Sequence, residues 1–166
     1  MKKVMQVLNK LIDEGVIGKY AIGGAIGVLF YTEVFATKDL DVFVVPQKTG
    51  GEIIHLGSIW EYLKRAGYGM QGQYFMIDGM PVDFVAVYND LTLEALENAI
   101  DKLYDDVKVK VLRPEYLLAI ALQTGRKQDL RKVDLLMSQT KLNGDLLKDI
   151  LIRHDLYKKW RDYNEQ

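Results

Sequence analysis

Hydrophobic and polar positions along this chain change period several times, and each change marks an element. Val4, Val7, Leu8, Leu11 and Ile12 recur at helical spacing and predict a first helix that Gly15 stops. Tyr20-Ala21-Ile22 reads as a short strand running into Gly23-Gly24, and Ala25 to Glu33 as a helix. Gly27 inside that helix costs about 1 kcal/mol relative to Ala, which points to close packing or a ligand. Asp39 to Val45 is a strand that Pro46 ends. Thr49-Gly50-Gly51 is a loop, and Glu52 to Ala66 a helix with Ile53, Leu56, Ile59, Trp60 and Leu63 inward, stopped by Gly67. Gln73 to Ile77 and Pro81 to Val87 flank Asp78-Gly79, a hairpin signal because Gly readily takes positive φ.

Farther on, Leu93 to Ile100 reads as a short helix. Asp106 to Leu112 alternates polar and apolar residues, as a half-buried strand at a sheet edge does. Pro114 opens a helix over Glu115 to Thr124. Helices follow over Lys127 to Thr140, with Leu130, Val133, Leu136 and Met137 inward, and over Asp145 to Arg153, before a polar tail. Strands and helices interleave early and helices alone follow, which predicts an α/β (α+β) fold: a mixed sheet flanked by helices, with a C-terminal helical extension. The expected division is a core over 1–112 and an extension over 113–166 packed on it.

Composition narrows the chemistry. The 166 residues are 49% hydrophobic and 27% charged, a globular balance, with a formal net charge of -1 and so no global basic field for nucleic acid. Cysteine is absent, which removes disulfides, thiolate metal sites and a cysteine nucleophile, and fits a reducing cytoplasm. No apolar run is long enough to span a bilayer, and the first residues lack the features of a signal peptide, so a cytoplasmic protein with no membrane association is expected.

The candidate chemistry lies in Gly23-Gly24, Asp39, Asp41 and Asp83. A Gly-Gly turn at a helix start exposes backbone N–H groups suited to phosphate. Asp39 and Asp41, two apart in a strand, point to one face and repel unless a cation lies between them. Asp83 is flanked by Val82, Phe84 and Val85, and a carboxylate in such a strand is costly unless paired or metal-bound. If its strand lies beside that of Asp39 and Asp41, three carboxylates converge and can hold Mg²⁺ (or Mn²⁺). The remaining candidates have quieter readings. His55 and His154 lack zinc spacing, and Asp78 is a turn residue. Tyr31, Tyr62, Tyr68 and Tyr74 are packing groups, and Lys158, Lys159 and Arg161 lie on a solvated helix face.

This order of a Gly-Gly turn, a helix, an acidic-x-acidic strand and a third acidic strand residue resembles the nucleotidyltransferase superfamily with the polymerase-β-like fold. The similarity is greatest to the group holding the AbiEii-type toxins and the lincosamide nucleotidyltransferases. Arg113-Pro114-Glu115-Tyr116-Leu117-Leu118, then Gly125-Arg126-Lys127-Gln128-Asp129-Leu130, resembles that group's Pro-Glu-x-Leu helix and Arg-x-x-Asp element. The resemblance implies Mg²⁺-dependent transfer of a nucleoside monophosphate from an NTP, ATP among them, to a hydroxyl-type acceptor: a small molecule, RNA such as tRNA, or a protein. It implies Asp39, Asp41 and Asp83 as catalytic metal ligands, with Asp83 as general base. Gly23, Gly24, Lys38, Arg126, Lys127 and Asp129 would be nucleotide-binding. For small domains of this type the resemblance also implies a partner protein or a homodimer that closes the cleft. Ala25 stands where many members carry Ser, and no Lys stands near Ala121 or Leu122, where many relatives have one. A catalytically inactive nucleotide-binding or protein-interaction module of the same fold is therefore the alternative.

Overall fold

The computed structural model of the chain describes residues 1–33, 36–46 and 56–165. Helix α1 (Lys2–Asp13) leads into β1 (Ile17–Ile22), α2 (Gly24–Leu29) and β2 (Leu40–Pro46). Helix α3 (Gly57–Arg65) precedes a meander of β3 (Gly69–Gln71), β4 (Tyr74–Ile77) and β5 (Met80–Ala86). Helix α4 (Asp90–Glu97) is followed by a hairpin, β6 (Ile100–Tyr104) and β7 (Val107–Val111). Helices α5 (Pro114–Thr124), α6 (Lys127–Gln139), α7 (Gly144–Arg153) and α8 (Tyr157–Asn164) complete the chain. The strands form one mixed sheet in the order β3-β4-β5-β2-β1-β7-β6. The β2–β5 and β1–β7 pairs are parallel and the others antiparallel. The α/β mixed sheet flanked by helices is thus as the sequence predicts.

Both faces of the central strands are buried, which is why β1 and β2 show continuous apolar runs. Tyr20, Ile22, Val42 and Val44 point into a core closed by α1 and α3. Their neighbours Ala21 and Phe43 point to the other side, into a core built with α2 and with the helices α4 to α7. Asp41 shares the face of Phe43, and Asp83 that of Val85, because strand side chains alternate. The carboxylates therefore face the C-terminal helices rather than α1.

Several elements differ from the sequence reading. The helix expected to end at Ile100 begins earlier, at Asp90, where Asn89 caps it by accepting from Thr92 N–H at 2.8 Å. Ile100–Tyr104 is instead the edge strand β6, so β7 lies inside the sheet between β1 and β6. Asp105, at φ 53, turns the β6–β7 hairpin without glycine, which hid the turn. Strand β3 went unread because three residues give no period. Helix α2 ends at Leu29 rather than Glu33. Trp60 and Met137, expected inward, are 40% and 39% exposed, and Trp60 meets Phe75 edge-on at 5.8 Å. The polar tail holds helix α8, whose Tyr157, Trp160 and Tyr163 pack on the second core at helical spacing between charges. The loop at Thr49-Gly50-Gly51, the helix positions from Glu52, including Ile53, and His55 lie outside the described residues. Among the described residues no helix is long and apolar enough to cross a membrane.

Candidate active site

The parallel register of β2 on β5 sets Asp41 directly beside Asp83, and Asp39 stands immediately before β2. The Gly-Gly turn is pressed against this pair. Gly23 N–H donates to the Asp41 carbonyl at 3.0 Å, and Gly24 adopts φ +54. A Cβ on Gly24 would lie 2.6 Å from Asp41 Cγ and closer still to Oδ2, so only glycine lets α2 begin over this carboxylate. A Cβ on Gly23 would meet the Phe43 ring, 2.7 Å from Cδ2. The two glycines thus differ in role. Gly24 lines the cleft, whereas Gly23 does not and its N–H is already engaged.

The cleft encloses about 1410 Å³. Gly24, Ala25, Lys38, Asp39, Asp41 and Asp83 line one side, and Arg126, Asp129, Arg131 and Lys132 of the α6 region line the other. Lys127 is exposed and is not among the lining residues. Asp129 is only 2% exposed and accepts from Arg126 Nε at 2.6 Å and Lys132 Nζ at 2.9 Å. Lys132 was missed by the sequence reading. Its signal was available: Arg126, Asp129 and Lys132 are spaced by three, which puts them on one side of a helix. It brings a cation to the cleft from α6, whereas the α5 positions Ala121 and Leu122 hold none.

Electrostatics separate the carboxylates. Burial pushes the Asp41 carboxyl up to about 6, the charge of Asp39 adds to this, and Lys132 opposes it. Asp83 is also raised, first by burial, while Gln73 Nε2, donating to Oδ2 at 3.1 Å, pulls it back. The nearby Asp39 charge raises the Tyr74 phenol. Among the described residues no group of three or more His, Asp or Glu side chains is gathered closely enough to hold a metal ion. The donor set still fits a hard divalent cation: oxygen only, on adjoining strands, with ionisation of Asp41 disfavoured by burial and by the Asp39 charge.

The other candidates have structural partners. His154 Nε2 lies 2.8 Å from Glu94 Oε2, Tyr31 donates to the Leu112 carbonyl at 2.9 Å, and Lys159 donates to the Gln123 carbonyl at 3.1 Å. Asp78 occupies the β4–β5 turn at φ 53. Tyr62 and Tyr68 pack on the first core, and Tyr74 lines the cleft.

A mixed sheet that presents adjacent aspartates beneath a Gly-Gly helix start defines a nucleotidyltransferase-type fold. The chain belongs to the family described as "Nucleotidyl transferase of unknown function (DUF2204)", whose model matches residues 1–159. No curated protein matches it. Its fold is similar to that of an antigenic nucleotidyltransferase-like protein from Paracoccidioides brasiliensis, with TM-score 0.58 and 17% identity over 99% of this chain and 90% of that one. The antibiotic-resistance factor ANT(2'')-Ia, solved in solution, gives TM-score 0.52 and 13% identity over 99% of both chains. The same factor in complex with adenylyl-2''-tobramycin gives 0.52 and 14%, over 94% of this chain and 98% of that one.

Proposed function

We propose that this protein transfers a nucleoside monophosphate from an NTP to a hydroxyl-type acceptor, with Mg²⁺ or Mn²⁺ held by Asp39, Asp41 and Asp83. The observation that carries the reading is the register of Asp41 beside Asp83, under Gly24 and across the cleft from Arg126, Asp129 and Lys132. The bound cation supplies charge neutralisation at the triphosphate. The chain's own residues do the rest. Gly24 lets the start of α2 approach the site, and Lys38, Arg126 and Lys132 offer positive charge to phosphate oxygens. Asp83 takes the proton of the acceptor hydroxyl as its oxygen bonds to the α-phosphorus and pyrophosphate leaves.

Within the superfamily, we group the chain with the AbiEii-type and lincosamide nucleotidyltransferases on the likeness of its Pro-Glu-x-Leu helix and Arg-x-x-Asp element, which here are α5 and the start of α6. The two-part division at 112/113 and a cytoplasmic location are part of the same reading.

The test is transfer of label from α-³²P-NTPs to small-molecule, RNA and protein fractions with Mg²⁺, for wild type and Asp41→Asn. Wild type should label one fraction and the variant none, while remaining folded. Full transfer by a folded Asp41→Asn protein would falsify the assignment. Tight binding of Mg²⁺-NTP by wild type with no transfer to any fraction would instead favour a non-catalytic nucleotide-binding module.

A further inference from the structure

Tyr88 is an aromatic ring in the cleft that the fold does not use. It stands just beyond β5, two residues after Ala86, lines the cleft, and is 60% exposed. Burial of this ring therefore adds little to stability, unlike that of the core aromatics Phe75 and Phe84. Among the described residues its hydroxyl has no hydrogen-bond partner. Its backbone, by contrast, is tied on both sides. Val87 N–H donates to the Val44 carbonyl at 3.2 Å, so the chain is still bound to β2 one residue earlier. The N–H groups of Tyr88 and Asn89 both donate to Thr92 Oγ1, at 3.1 and 3.2 Å. Asn89 Nδ2 donates to Gln123 Oε1 at 2.8 Å, which fixes this corner on α5. An exposed ring on so fixed a backbone has only its own two torsions to lose on contact.

Its surroundings indicate what it contacts. The same cleft has apolar lining, with Phe43, Val85, Ile120 and Ala121 among its residues. Arg126 lines the same cleft, and its charge acts on both Tyr88 and Asp41. One cleft thus offers carboxylates and cations together with a flat ring and apolar lining. A nucleotide has the matching parts, a triphosphate joined to a planar base.

We propose that Tyr88 is the stacking platform for the nucleobase of the NTP and a main determinant of nucleotide affinity. This rests on the nucleotidyl-transfer reading above. Because every base has a π-face, the platform accepts all four NTPs and favours purines by their larger face.

Calorimetric titration of wild type, Tyr88→Ala and Tyr88→Trp tests it. The probes are the α,β-methylene analogues of the four NTPs and inorganic tripolyphosphate, each with Mg²⁺. A base on an aromatic face is worth about 1–3 kcal/mol, which is about fivefold to 140-fold in Kd. Tyr88→Ala should lose that factor for the analogues, most for the purines, and bind tripolyphosphate as wild type does. Tyr88→Trp should keep wild-type affinity. Unchanged analogue binding by Tyr88→Ala overturns the proposal. So does an equal loss for the analogues and tripolyphosphate, which would place the effect on the phosphates or the fold. Wild type that binds none of the four analogues overturns the nucleotidyl-transfer reading and this proposal together, a result distinct from the other two. Melting curves check folding, and an exposed position should shift them by no more than about ±0.5 kcal/mol.

Discussion

Replacing Gly24 with alanine isolates the contact on which the candidate site is built. Two costs are expected, and they can be separated. The first is conformational: φ +54 is left-handed backbone, which costs an L-residue about 1–2 kcal/mol. The second is steric: the new methyl would sit 2.6 Å from Asp41 Cγ and 2.9 Å from its Cβ, so the Asp41 side chain must leave its rotamer, at about 0.5–1.5 kcal/mol. The sum, about 1.5–3.5 kcal/mol, corresponds to roughly 3–14 °C in melting temperature for a domain of this size. Gly79→Ala is the control. It has φ +76 and nothing within 4 Å of the added methyl, so it should show the conformational cost alone. A double-mutant cycle completes the test by thermal and urea denaturation. In an Asp41→Ala background the carboxylate is gone and only the 2.9 Å approach to Cβ is left, so Gly24→Ala should cost less there than in wild type and closer to what Gly79→Ala costs. Equal destabilisation by Gly24→Ala in both backgrounds would refute the steric argument. A Gly24→Ala protein as stable as wild type would refute both.

Two pH-dependent predictions follow with opposite signs. Asp41 is raised to about 6, so in metal-free buffer its contribution favours the fold below pH 4 and is lost as pH rises through 6; Asp41→Asn should remove this loss and be about 2–3 kcal/mol more stable than wild type at pH 7 by urea denaturation, and a less stable variant contradicts the reasoning. Glu94 accepts from Arg153, Tyr116 and His154, and Arg153 foremost pulls its carboxyl down to about 2, so its contribution is full above pH 4.5 and lost as pH falls toward 2; Glu94→Gln should cost about 2–3 kcal/mol at pH 7 and clearly less at pH 3, with a pH-independent cost counting against the assignment.

Much of the site was legible because its parts lie in elements with strong local signals. Asp-Gly fixed the β4–β5 hairpin, and Pro114 and Gly125 bracketed α5, where Gly125 takes φ 69. The acidic strand could be read from its apolar continuation. What could not be read was the pairing. Nothing local places β5 next to β2 in parallel, with Asp41 opposite Asp83; that register is set by two cores closing on opposite faces of the sheet. Lys132 escaped for a related reason. On a helix rich in Lys and Arg, the cation that folds inward differs from its neighbours only through Asp129, and burial of Asp129 is a tertiary fact. Helix α8 was obscured in the same way, since the charges between Tyr157, Trp160 and Tyr163 outweigh the aromatic period in a local reading. Conversely, Gly23 carried a phosphate-binding expectation although its N–H is engaged by the Asp41 carbonyl of β2.

Two carboxylates of the cleft, the buried Asp129 and the half-buried Asp41, show how one pool of positive charge is divided. Asp129 and Asp41 are both desolvated, which disfavours their charged forms. Asp129 is nevertheless lowered, because Arg126 and Lys132 hydrogen-bond it directly. Asp41 feels the same two cations only through space, while Asp39 and Asp83 push against it. Asp129 thus keeps Arg126 and Lys132 on the α6 side of the cleft. Were they free to swing onto Asp41, they would quench the negative charge a divalent cation requires. Held apart, the two walls stay opposite in sign: carboxylates beneath Gly24, and guanidinium and ammonium groups across from them. On the function proposed above, a triphosphate carrying its own cation would be complementary to both walls at once, cation to the strands and phosphate oxygens to α6. Asp129 therefore serves the site by what it prevents, although no substrate atom needs to touch it.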